Sequence, residues 1–203
     1  VDVPQKVPAV GRRGRLREDM GEAPPEVRWR SGDQVEMAVA RLELGQGASR
    51  GDKTGPNPTD RAKLGTKRHI LTDQRGTPLS AVITGANTHD MKATFDTLDG
   101  VVVKRPSPRP YHRQHLCLDK GYDFPVIEAG VAARRYVPHM RHRGEIEDPV
   151  KRYKPKRWVV ERSASWLNRF RKLLIRWEKK AENYLGLVQL ACSIMAYRRI
   201  ILG

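Results

Sequence analysis

Leu116-Cys117-Leu118-Asp119-Lys120-Gly121-Tyr122-Asp123 is the stretch that decides the fold. His115 to Leu118 reads as a short apolar strand, and it stops at an acid. Gly121 lets the chain turn at once, even beside a bulky ligand. Residues 124–133 then suit a helix, and Arg135-Tyr136-Val137-Pro138 a further short strand. In an open α/β sheet, ligands collect at the carboxyl ends of strands, so Asp119 stands where a ligand-binding acid is favoured. An Asp at a strand end also caps turns, and the residues alone leave both readings open.

The neighbouring segments extend the pattern. Lys67 to Asp73 reads as a strand, Gln74-Arg75-Gly76 as a turn, and Pro78 to Thr84 as the second strand of a hairpin. Asn87-Thr88-His89-Asp90 reads as a helix N-cap rather than a catalytic pair, with Met91 to Leu98 as its helix. Arg157 to Lys180 reads as one long amphipathic helix. Val160, Ala164, Leu167, Leu174 and Trp177 mark its apolar side, widened by Trp166, Phe170 and Leu173. Trp158, Trp166 and Trp177, at helical spacing, read as core or amphipathic cover rather than base-stacking platforms. Asn183 to Ile201 is a second apolar helix. Hairpin, helix, strand, helix, strand and helices together predict an α/β domain with a mixed sheet and covering helices. The ribonuclease-H-like fold is one such architecture.

Residues 1–50 differ from the rest. They are rich in Arg, Gly and Pro, and only Val35 to Leu44 has a sustained apolar pattern, suited to a short helix or a strand. The expectation is an irregular segment over 1–50 and a folded domain over 51–203. Arg141 to Lys156 is charged and expected to be exposed.

Charge narrows the partners. The chain has 203 residues with 39 Lys and Arg against 23 Asp and Glu, a formal net charge of +16. Such an excess predicts a polyanion such as DNA or RNA. From Lys151 onward there are 14 basic and 3 acidic residues, so the C-terminal quarter carries +11 of that charge. Cys117 and Cys192 lie in apolar runs and read as buried thiols of a reducing compartment. No apolar run reaches the roughly 18 residues of a membrane span, and the N-terminus lacks a signal-peptide core. A cytoplasmic, nucleoid-associated location is expected.

Glu161 stands out in the basic region. Between Lys151 and Lys180 there are twelve basic residues and two acids, Glu161 and Glu178. Arg157 at i−4 offers Glu161 an ordinary helix ion pair. The other reading makes it a metal ligand on a surface that holds a polyanion. Ser165 and Asn168 share its side of the helix, and a helix laid across the sheet would bring Glu161 toward Asp119. Phosphoryl transfer on DNA needs such acids, because paired divalent ions activate the attacking oxygen and stabilise the leaving one.

Several blocks share one further property. Gly55-Pro56-Asn57-Pro58-Thr59-Asp60-Arg61, Leu64-Gly65-Thr66-Lys67-Arg68-His69 and Gly85-Ala86-Asn87-Thr88-His89-Asp90 occur in order. Leu118 to Asp123, Val159-Val160-Glu161-Arg162 and Trp166-Leu167-Asn168-Arg169-Phe170-Arg171 follow. Together they resemble bacterial insertion-sequence transposases of the DDE type, in the insertion-sequence-5-like group, from about residue 51 onward. The resemblance implies a ribonuclease-H-like catalytic domain that cuts and rejoins double-stranded DNA at the ends of a mobile element. It implies three carboxylates holding Mg2+ or Mn2+, with Asp119 matching the second acid and Glu161 the third. It implies that water and then a DNA 3′-hydroxyl attack phosphorus directly, without a covalent enzyme–DNA intermediate. Arg157, Arg162, Arg169 and Lys120 are the expected DNA contacts, and a homo-oligomer on DNA the expected assembly.

The first acid departs from the pattern. The family has an apolar strand ending in Asp shortly before the Gly-Pro-Asn-Pro block. Here Glu43 is the nearest match, with Asp33 as a second candidate. The family's longer helical N-terminal region is not visible in residues 1–50, which read as truncated or altered. The alternative function is therefore an inactive transposase remnant that binds DNA without cutting it.

Overall fold

The protein is described by a computed structural model. Residues 51–58, 61–108, 113–140, 142 and 158–202 are described in full, and residues 34–42 and 157 as backbone alone. Glu43, Asp33 and nearly all of the charged stretch 141–156 lie outside the described residues.

Among the described residues, six strands form the sheet: β1 (Gln34–Leu42), β2 (Gly55–Pro56), β3 (Leu64–Asp73), β4 (Pro78–Gly85), β5 (Gln114–Cys117) and β6 (Tyr136–His139). β3 pairs antiparallel with β1, β4 and the two-residue β2. On its other side β1 pairs in parallel with β5, and β5 with β6. The sheet is therefore mixed, and β1 is the strand that joins its antiparallel and parallel halves. The sheet begins before the boundary expected at residue 51, and the apolar stretch from Val35 is a strand rather than a helix. Its alternation of Val35, Met37 and Val39 with Glu36, Ala38 and Ala40 is the two-residue period of extended chain.

Helices cover both faces. α1 (Thr94–Asp99) and α2 (Pro125–Ala133) lie on one side. Leu71, Leu79, Leu98, Leu116, Leu118, Ile127 and Val131 form the core beneath them. α3 (Arg157–Leu167), α4 (Arg171–Leu174) and α5 (Ala181–Ile201) lie on the other side. There Ile70, Ile83, Leu167, Leu173, Tyr184, Val188, Ala191 and Met195 pack together. Strand alternation makes this possible: Ile70 and Leu71 are neighbours in β3 and serve opposite cores. This three-layer arrangement is the α/β domain with a mixed sheet and covering helices expected from the sequence.

The expected single helix over 157–180 is instead broken. α3 ends at Leu167, α4 is one turn, and Ile175 is extended at φ −127°, ψ 123°. The reason is Arg176, which is fully buried. Its Nη2 donates to the carbonyls of Asp52 at 2.7 Å and Lys179 at 3.2 Å, and its Nε to that of Glu178 at 2.8 Å. Its Nη1 donates to Thr66 Oγ1 at 2.9 Å. An uninterrupted helix would aim this guanidinium elsewhere and leave those carbonyls unpaired. Trp158 and Trp177 are exposed rather than core cover.

The hairpin is fastened to α3. Gly76, at its turn, has φ +87°, a conformation that favours glycine. Ser163 Oγ donates to the Gly76 carbonyl at 2.8 Å, and Arg162 Nη2 to the Arg75 carbonyl at 2.5 Å.

Candidate functional site

Asp119 sits immediately beyond β5. Its backbone is extended and it caps a 3-10 turn, Lys120–Tyr122, with Oδ1 accepting from the Lys120 N–H at 2.7 Å. Leu116 and Leu118 are buried under α1 and α2. By alternation, Cys117 and Asp119 occupy positions of the opposite sense, toward the layer that holds α3. Asp119 is exposed, so the sheet ends in a solvent-facing carboxylate.

Glu161 lies in α3, exposed, with Val159, Val160 and Ser163 buried around it. Those three set the rotation of the helix. Valines at consecutive positions face the sheet, Ser163 reaches the hairpin, and position 161 is turned outward. α3 packs on β1 and β3. Asp119 and Glu161 thus belong to the same side of the sheet. Among the described residues, no three His, Cys, Asp or Glu side chains converge into a metal-binding group. The one acid within β1 is Glu36, whose Cα partners are Cys117 on β5 and Thr72 on β3. The sequence reading did not single it out; the alternation of β1 was the available signal.

The expected DNA contacts fall into two groups. Lys120 and Arg169 are exposed. Arg162 is engaged: beyond its bond to the Arg75 carbonyl, its guanidinium lies 4.8 Å from the Trp158 ring centre and 5.0 Å from that of Trp166. Arg157 begins α3, and its side chain lies outside the described residues.

The blocks that contain Gly55, Gly65 and Asn87 converge. β2 pairs with the start of β3 through Gly55 and Gly65, and the Ala86 N–H donates to the Gly65 carbonyl at 3.0 Å. A side chain at Gly55 would collide with the Asn87 amide, so that glycine admits the close approach. His89 behaves as the expected cap, its Nδ1 accepting from the Met91 N–H at 3.4 Å. Asp90 has a role the sequence did not suggest. Its Oδ1 binds Lys67 Nζ at 2.8 Å, and the nearly buried Lys67 also donates to the Thr88 carbonyl at 2.6 Å. Tyr122 is buried next to this pair, and its hydroxyl has no hydrogen-bond partner among the described residues. Burial first, and then the Asp90 and Asp119 carboxylates, push this phenol far above its ordinary value, so it remains protonated.

On β5 and the edge strand β6, His115 Nδ1 and His139 Nε2 are 2.6 Å apart with their rings stacked. Burial lowers both, His139 to about 4.

A mixed sheet wrapped by helices, ending in acids and bordered by a strongly basic chain segment, defines the class: an α/β domain for polyanion chemistry. The profile of the family described as "Transposase DDE domain" matches residues 40–196. The chain belongs to that family of DDE transposases. It is 36% identical over 151 residues to "Putative transposase for insertion sequence element IS402" from Burkholderia cepacia, covering 73% of this chain and 70% of that relative. A solved structure, a piggyBac transposase synaptic complex with hairpin DNA, matches 85% of this chain with a TM-score of 0.46 and 12% identity. This chain spans about half of it, 48%.

Proposed function

We propose that Asp119 and Glu161 are metal-ligating acids of a domain that performs phosphoryl transfer at insertion-sequence ends. The observation that carries this reading is the placement of Asp119 as a solvent-facing carboxylate at the end of a strand paired directly with the central strand. Glu161, exposed on the helix that packs over that strand, supports it.

The donor chemistry suits Mg2+ or Mn2+, hard ions that take oxygen ligands; Mg2+ keeps several waters and needs only one or two protein carboxylates. When bound, such an ion supplies Lewis acidity at phosphorus and a more acidic attacking water. The chain's own residues do the rest. The Asp119 cap fixes the carboxylate through the Lys120 N–H. Valines 159 and 160 hold α3 on the sheet, so that Glu161 is presented outward. Exposed Lys120 and Arg169 are proposed to bind backbone phosphates of double-stranded DNA. Arg162 is proposed to orient the helix and to meet DNA through its tryptophan-flanked face, and Arg157 to add a phosphate contact at the start of α3. Assembly as a homo-oligomer on paired DNA ends and a nucleoid-associated cytoplasmic location complete the proposal. Among the described residues, no helix is long and apolar enough to cross a membrane.

A second reading turns on the first acid, where the nearest match to the family's Asp is Glu43. In that reading the chain is an inactive remnant which binds DNA and does not cut it.

The test is Mn2+-dependent cleavage and strand transfer on the DNA ends of its own element. Asp119→Ala and Glu161→Ala are each expected to reduce the rate on the order of 10²-fold or more while DNA binding persists. Unchanged cleavage in both variants would remove the assignment. Tight DNA binding by the native chain, with no cleavage in either metal, would establish the remnant.

A further inference from the structure

The segment that joins α4 to α5 presents apolar side chains to water. Leu174, Ile175 and Trp177 are exposed at 40%, 38% and 62% of their surfaces. Large apolar side chains exposed together on one short stretch and rimmed by polar residues mark an interaction site.

These side chains stand on a rigid base. Leu173 is buried, and the Tyr184 hydroxyl donates to its carbonyl at 3.2 Å. Ile175 is extended, and the fully buried Arg176 separates Ile175 from Trp177, so the chain alternates outward, inward, outward. Arg176 fastens this stretch to the Asp52 carbonyl and to Thr66 Oγ1. The Asp52 N–H donates in turn to the Lys179 carbonyl at 3.0 Å. The fold therefore holds the apolar side chains outward before any partner arrives, which lowers the ordering cost of binding.

Charge identifies the partner. From Arg169 to Lys180 six residues are basic and one, Glu178, is acidic. Arg169, Arg171, Lys172, Lys179 and Lys180 are all exposed. Arg171 lies three residues before Leu174 on α4, hence on the same helix face. A second copy of this chain would bring a like set of cations against these, which repels it. A polyanion is complementary. Double-stranded DNA offers both parts: phosphates for the cations and, at a partly unstacked base step, a slot for apolar side chains.

We infer that Leu174, Ile175 and Trp177 form a wedge that enters the minor groove of double-stranded DNA and bends it, with Arg171, Lys172, Lys179 and Lys180 on the flanking phosphates. The inference rests on the reading of the chain as one that acts on double-stranded DNA, and it is independent of the metal site.

The test uses the full chain and a duplex of about 30 base pairs, labelled at its two ends with a fluorescent donor and acceptor, in EDTA so that no metal-dependent cleavage intervenes. The native chain should bring the two ends closer together. Trp177→Ala should weaken binding about tenfold and reduce the bend. It should leave the log–log salt slope unchanged, because it removes an apolar contact, and the thermal midpoint unchanged, because the indole is exposed. Lys172→Ala and Lys180→Ala should each lower the salt slope by about one. Native affinity and bend in both Trp177→Ala and Leu174→Ser overturn the inference, as does straight DNA in the native complex. A native chain that sediments without DNA as a larger species than Trp177→Ala also overturns it, because a second copy then covers the wedge. Failure of the native chain to bind the duplex at all overturns the inference together with the DNA reading. Loss of the bend in Trp177→Ala supports the wedge even where Asp119→Ala and Glu161→Ala leave cleavage unchanged, an outcome that removes the metal site alone.

Discussion

His115 and His139 face each other across neighbouring parallel strands, and their nitrogens are close enough to share one proton. His69, buried in β3 with Nε2 on Thr84 Oγ1, is also pushed down to about 4 by its burial. The folded state thus resists protons that the unfolded chain accepts near pH 6.5. Stability is full above that pH and falls as the pH drops toward 4. The thermal midpoint should therefore decline between pH 7 and pH 4.5, and His139→Asn should reduce the decline; a pH-independent midpoint would count against this account. Residue chemistry was only partly legible in the sequence. Both readings of Asp119 coexist, because a cap uses one carboxylate oxygen and does not exclude a metal. The burial of Arg68 in β3 was not legible: an arginine in a strand ordinarily reads as exposed, and only the sheet register reveals a buried one.

At the scale of elements, the hairpin and α3 form one unit through Arg162, Ser163 and Gly76. A Cβ at Gly76 would lie 2.8 Å from Ser163 Oγ and 3.1 Å from Arg162 Nη2, at a φ that side chains avoid. Gly76→Val is expected to destabilise the protein by about 1–3 kcal/mol in urea unfolding. It should also weaken metal-dependent cleavage, since α3 carries Glu161. A loss of stability with cleavage intact would show that the clasp does not position the acid. The hairpin, β5 and the α2–β6 unit were readable because each has its own period and its own turn residues. The break between α3 and α5 was not readable. Leu167 and Leu173 serve the same core on both sides of the break, so the apolar spacing imitates a continuous helix. Arg176 decides the matter through contacts distant in sequence, with Asp52 and Thr66.

Those contacts matter for the whole molecule. Arg176→Met would strip donors from five partners, the Lys53 carbonyl at 3.5 Å among them, that are joined at one buried point, and a loss on the order of 3 kcal/mol is expected. Lysine should not rescue it, because its ammonium lacks the planar fork. Electrostatics act at the same scale. With a net charge of +16, DNA affinity should fall steeply with salt. Arg169→Ala should reduce the log–log salt slope by about one if that side chain meets a phosphate. An unchanged slope would remove it from the interface.

β1 has the last consequence. It bonds to β3 on one side and β5 on the other, and it comes from the stretch that composition set apart from the domain. It is a keystone, not an appendage. A polypeptide starting at residue 51 would have two half-sheets with a missing seam, each presenting an unpaired inner edge, and should aggregate rather than fold. Supplying residues 34–42 as a separate peptide would then be the natural attempt at complementation. A reading-frame change upstream of residue 51 would likewise rewrite the joint that lets the two halves share one scaffold.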